Sequence, residues 1–173
     1  GYEFFKALGP LSNVNKDYFH GERPFWNELT EHPNYDDYWQ ARNVLQHLGK
    51  TKPATLVVGG WYDTEDLYGP LATYQTMSRK NKRDNVQIVM GPWYHGQWIG
   101  DKGSNMGEAQ FGFETSVWFR DNVLLPFFNQ HLKEESEDKY EQTATMFETG
   151  ANRWRFFGQW PPADTSEKTL YLT

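Results

Sequence analysis

Two loops in this chain end in groups that can move a proton. One reads Gly59-Gly60-Trp61-Tyr62-Asp63-Thr64-Glu65-Asp66 and the other Gly91-Pro92-Trp93-Tyr94-His95-Gly96, so a carboxylate and an imidazole lie 32 residues apart on similar aromatic frames. An imidazole takes a proton from a hydroxyl only when its second nitrogen is held as the donor, and a carboxylate does that holding. Asp63 and His95 therefore predict the acid and base of a serine hydrolase relay. Each residue also has a plainer role: Asp is common in the turn after a strand, and a loop His is often just hydrogen-bonded.

Glu65 and Asp66 follow the first group directly. They either favour the N-terminus of a following helix through its dipole or hold a cationic part of a substrate. Trp61, Tyr62, Trp93 and Tyr94 flank both groups, where rings shape loops and line pockets for small organic ligands. A different class of function uses the same residues as a non-catalytic module in which the aromatics and the Asp63, Glu65 and Asp66 carboxylates hold a sugar or a cation. His20, His32, His47 and His131 are scattered, and no pair has the spacing of a metal-binding helix, so neither a metal site nor a cofactor is expected.

Positioning Asp63 beside His95 requires two neighbouring parallel strands. Ala54 to Val58 is a short β-branched run between Pro53 and Gly59-Gly60, and Val86 to Met90 is a second one stopped by Gly91-Pro92. Between them Leu67, Leu71, Tyr74 and Met77 recur at helical spacing, and the polar stretch from Ser78 to Asn85 closes that helix. Strand, helix, strand is a βαβ unit, and loops past the carboxyl ends of such strands gather functional groups. A helix over Asp36 to Leu48 is expected from Tyr38, Ala41, Leu45 and Leu48. Gly100 to Gly112 reads as a loop. Phe113 to Leu132 reads as an amphipathic helix split or kinked by Pro126, and Lys133 to Glu141 as a solvated linker. Thr143 to Glu148 and Lys168 to Thr173 read as strands that open a second β domain.

At 173 residues, with 17% aromatic content, the chain can build one core largely from rings. The net charge of −6 and the lack of a basic cluster argue against nucleic acid as a partner. No run of 18 apolar residues is present to span a membrane, and the absence of cysteine removes disulfides and thiol nucleophiles.

The two loops resemble those of the acyl-hydrolase family that includes cocaine esterase, glutaryl-cephalosporin acylase and α-amino acid ester hydrolase, with X-Pro dipeptidyl peptidases as relatives. Further segments are similar: His32-Pro33-Asn34-Tyr35-Asp36-Asp37-Tyr38-Trp39 to the passage from cap to core, and Leu125 to Leu132 to the closing core helix. Thr143 to Thr173, with Gly150-Ala151-Asn152-Arg153-Trp154 and Trp160-Pro161-Pro162, resembles the start of a C-terminal jelly roll. The resemblance implies an α/β fold: a cap remnant over 1–50, the C-terminal half of an α/β-hydrolase core over 51–135, and the beginning of a jelly roll over 143–173.

The same resemblance implies a small-molecule ester or amide substrate, cleaved through an acyl-enzyme with Asp63 and His95 as triad members. Glu65 and Asp66 match an acidic cluster that holds an α-ammonium. The triad order places the serine upstream. The one serine before Asp63 is Ser12, in Gly9-Pro10-Leu11-Ser12-Asn13, which has neither a preceding strand nor a Gly-x-Ser-x-Gly pattern. The chain is thus expected to be a fragment, inactive by itself. Its open apolar sheet edge predicts pairing with the missing N-terminal half or with a second copy.

Overall fold

The expected apolar runs form the centre of a sheet. In a computed structural model, which describes residues 1–80, 85–134 and 137–171, Thr55–Gly60 is β1 and Val86–Gly91 is β2. The two pair in parallel from Thr55↔Val86 to Gly60↔Gly91. The crossover between them is α4, Tyr68–Lys80, preceded in the chain by α1 (Tyr2–Leu8), α2 (Pro24–Glu31) and α3 (Asp37–Arg42). Of the Ser78 to Asn85 stretch expected to close α4, Ser78 to Lys80 still belong to the helix, and 81–84 lie outside the described residues.

Chain contacts divide the protein into two units, Gly1–Val44 and Leu45–Thr173. In the first, local polar bonds hold short helices. Asp36 caps α3 by accepting from the Tyr38 N–H at 3.1 Å, while its second oxygen meets His32 Nδ1 at 2.7 Å. The His32 ring stacks on Tyr38 with centroids 4.2 Å apart. The helix expected over Asp36 to Leu48 is interrupted: Asn43 turns extended (φ −72°, ψ 106°), and Val44–Lys50 continues as a 3₁₀ helix.

In the second unit both sheet faces are covered, which is why β2 is buried without alternation from Ile88 to Gly91. Ile88 and Met90 join Val57, Tyr74 and Met77 on the α4 side, while Val89 joins Trp93, Phe119, Val123 and Phe127 on the other. Gly59 lets the start of α4 sit on the sheet, since a Cβ there would come within 2.7 Å of Pro70 Cγ. After β2 come α5 (Gln97–Gly100) and a minimal hairpin, β3 (Asn105–Met106) with β4 (Ala109–Gln110), inside the expected Gly100 to Gly112 loop.

The amphipathic stretch after the loop is α6 (Thr115–Phe119) and α7 (Leu125–Leu132), joined by a wide π-helical turn over Arg120–Leu124. Pro126 explains the wide turn: it has no N–H for the carbonyl four residues back, and its ring crowds that carbonyl. The charged linker is not wholly solvated. Its Tyr140 is 4% exposed and its hydroxyl lies 2.6 Å from Thr145 Oγ1, with burial pushing the phenol up to about 12.

Of the two strands expected at the start of a second β domain, the first, Thr143 to Glu148, lies in this sheet beside β2, and the strand that follows it is one the sequence did not announce. β5, Ala144–Glu148, lies parallel to β2, and β6, Arg153–Phe157, returns antiparallel, giving the order β1-β2-β5-β6. Ala144, Thr145, Met146 and Phe147 are all buried, which an inner strand allows and an exposed hairpin does not. Residues 168–171 take no regular structure, and the end of that expected strand, 172–173, lies outside the described residues.

Candidate active site

The β1–β2 ladder does not stop with the strands. The Trp61 N–H donates to Gly91 O at 2.8 Å and the Tyr62 N–H to Trp93 O at 3.1 Å, so the two loops leave the sheet side by side. Gly60 permits this approach, because a Cβ there would collide with the Trp93 carbonyl. Asp63 then turns back, its N–H reaching Gly60 O at 3.3 Å.

The outcome is a 3.0 Å contact between Asp63 Oδ2 and His95 Nδ1. The other carboxylate oxygen, Oδ1, accepts from the backbone N–H groups of Glu65 and Asp66, each at 2.9 Å. Asp63 is 5% exposed. Burial works to raise its pKa, but the Asp66 and Glu65 N–H groups and the His95 ring outweigh it and hold the carboxyl below the ordinary value. His95 is pushed the other way: its hydrogen bond and attraction to Asp63, with help from Glu65, raise the imidazole above its ordinary value. The His95 side chain is 59% exposed, and its Nε2 has no partner among the described residues. The pair can therefore accept a proton at a nitrogen open to solvent.

The other expected residues separate by role. Glu65 Oε2 stands 4.0 Å from His95 Nδ1 with its side chain 77% exposed. The Asp66 carboxylate lies over Gly69 in the first turn of α4, where a Cβ would strike it, so it fits the helix dipole. Tyr62 stacks on Phe111 with centroids 6.4 Å apart, and Tyr94 is half-exposed at the rim. Trp61 donates its Nε1–H to Phe147 O at 3.0 Å.

Trp93, expected among rings that could touch a substrate, is fully buried and has no face to offer. Its ring packs against Trp98, Phe119 and Trp154, and its Nε1–H donates to Thr115 Oγ1 at 3.0 Å. Trp93→Ala is expected to cost about 3–5 kcal/mol of unfolding free energy, as a large void under the His95 loop would. Urea titration of the variant checks this, and a loss below about 1 kcal/mol would contradict it.

Sequence reasoning missed two polar groups that brace the loop. Gln97 is buried and bonds to Tyr94, Asp101 and Asn105, and Thr115 links Trp93 to Gly103 O at 2.6 Å. Their spacing carries no pattern, because their partners are set by the folded loop.

A family model for X-Pro dipeptidyl-peptidases, family S15, matches residues 3–97, more than half of the chain and a span that includes both Asp63 and His95. The chain belongs to the S15 family. The cocaine esterase of Rhodococcus sp. (strain MB1 Bresler) is 25% identical over 149 residues, covering 84% of this chain and 25% of the esterase. Among solved structures, an aminopeptidase from the marine sediment archaeon Thaumarchaeota archaeon matches with a TM-score of 0.84 and 33% identity, over 93% of this chain and 26% of the aminopeptidase. A selenomethionine-labelled α-amino acid ester hydrolase matches with a TM-score of 0.84 and 32% identity, over 92% of this chain and 26% of that protein. This S15 member is thus related to hydrolases, spans about a quarter of the length of these relatives, and bears out the resemblance carried by its two loops.

Proposed function

We propose that this chain supplies the acid and the base of a serine acyl hydrolase acting on esters or amides of small acyl groups, with the serine contributed by another part of the full-length protein. The supporting observation is the 3.0 Å contact from the buried Asp63 carboxylate to His95 Nδ1, which leaves Nε2 open. With Nδ1 as donor, Nε2 takes the serine proton as the oxygen bonds to the acyl carbon. It then delivers that proton to the leaving alcohol or amine. Water repeats the sequence on the acyl-enzyme and frees the acid.

The acyl group we favour is an α-amino acyl group. Glu65 is exposed beside His95 and can meet an ammonium, while a glutaryl-type anion would be repelled. The solved relatives named as an aminopeptidase and an α-amino acid ester hydrolase support the same class. On the full-length protein, the test compares an amino acid ester with its N-acetyl counterpart. Glu65→Gln is expected to raise KM about fivefold for the free amine alone, as befits an exposed ion pair. An equal change for both esters would remove Glu65 from substrate selection.

A further inference from the structure

We propose that Gln97 is the positioning residue that fixes the His95 imidazole against Asp63. The kinetic part of its test rests on the hydrolase reading above, whereas the structural part does not.

His95 occupies the second position of a four-residue turn closed by the Gln97 N–H donating to Tyr94 O at 3.1 Å. Gly96, at φ 73° and ψ 4°, adopts the third-position geometry of a type II turn, where a left-handed backbone favours glycine. The side chain of Gln97 then grips the same residue from the other side: its Oε1 accepts from the Tyr94 N–H at 3.2 Å. Both backbone groups of the residue preceding His95 are thus held by one glutamine, which is 4% exposed.

The amide nitrogen of Gln97 anchors this grip to the body of the fold. It donates to Asp101 Oδ1 at 3.1 Å and to Asn105 O at 3.3 Å. Asp101 Oδ1 also accepts from the Gly103 N–H at 2.7 Å, and its backbone carbonyl accepts from Arg120 Nη1 at 3.1 Å. Gly103 in turn sits so close to Thr115 and Ser116, at the start of α6, that a Cβ there would collide with both. A polar chain therefore runs from α6 through Gly103, Asp101 and Gln97 to Tyr94.

Such bracing matters because the His95 ring has little else to locate it. The ring is more than half exposed, and among the described residues its one hydrogen bond goes to Asp63. An exposed side chain held at a single point takes its placement from its backbone, and misplacement of a reacting group by about 1 Å can cost roughly a hundredfold in rate.

The test titrates the His95 ring by nitrogen-resolved NMR in the full-length protein, where Asp63, Glu65 and Asp66 are the carboxylates acting on it. Gln97→Met keeps the volume and removes all three side-chain bonds. It is expected to bring the His95 titration down toward the ordinary imidazole value and to lower kcat by about tenfold or more, with KM within about twofold. Met77→Ala, a buried change on the α4 side of the sheet and away from the Trp93 cluster, is expected to lower the melting temperature without moving that titration. Asp101→Asn retains the oxygen that accepts from Gln97 and is expected to keep the His95 titration closer to the parent than Asp101→Ala. This pair decides the matter if the methionine variant does not fold. A folded Gln97→Met protein with the parent's His95 titration, or Asp101→Ala and Asp101→Asn that behave alike, would overturn the proposal. If the parent hydrolyses neither an ester nor an amide, the hydrolase reading fails, and the titrations still decide the role of Gln97.

Discussion

Replacing His95 with alanine in the full-length protein is expected to lower kcat by about 10⁴-fold or more while leaving the fold intact, because loss of the base removes the relay as a unit. The ring is largely exposed and contributes no core contact, so its loss opens no cavity. Ester hydrolysis measured alongside a thermal melt separates the two effects. A variant that retains more than about a tenth of the parent rate would show that this imidazole is not the base, whatever the class of enzyme.

Asp63→Asn is expected to be nearly as damaging, by about 10⁴-fold, for a reason visible in the loop. The Asp63 oxygen Oδ1 already accepts from two backbone N–H groups, those of Glu65 and Asp66. In the asparagine variant the single remaining oxygen is claimed by those donors, which turns the NH₂ toward His95. Nδ1 must then accept, the proton moves to Nε2, and the nitrogen that should act as base is blocked.

The titration of His95 follows with a definite sign. In the parent protein the raised imidazole pKa makes protonation favour folding, so that contribution is present below the ordinary His value and fades as pH rises through the folded value. The lowered Asp63 pKa contributes in the opposite direction: its stabilisation is present above the ordinary Asp value and fades as pH falls through the folded one. Activity needs neutral His95, so it should fall on acidification through a pH above the ordinary imidazole value. In Asp63→Asn the His95 titration should shift to lower pH, and NMR of the ring reads this directly. An unchanged titration would mean that the carboxylate does not govern the ring.

Several features needed no coordinates. The apolar runs stopped by Gly59-Gly60 and by Gly91-Pro92 specify β1 and β2, and the helical recurrence of Leu71, Tyr74 and Met77 specifies the crossover, because local composition and period decide such elements. Once a right-handed βαβ unit follows, Asp63 and His95 must emerge at one edge, so the candidate pair was legible as residue types at loop positions. Pro126 likewise announced a break in its helix, though not that the break would take the form of a π-helical turn.

Folding decided what local pattern cannot carry. Nothing in Ala144 to Glu148 says that β2 will be its neighbour, since strand pairing is a choice among distant edges made by burial on both faces. A tryptophan beside the histidine reads the same whether it faces a ligand or fills a core, and only packing against Trp98, Phe119 and Trp154 assigned Trp93 to the core. Gln97 was silent for a similar reason. An amide gains meaning from the three groups it bonds, and those groups converge only after the loop has closed around it.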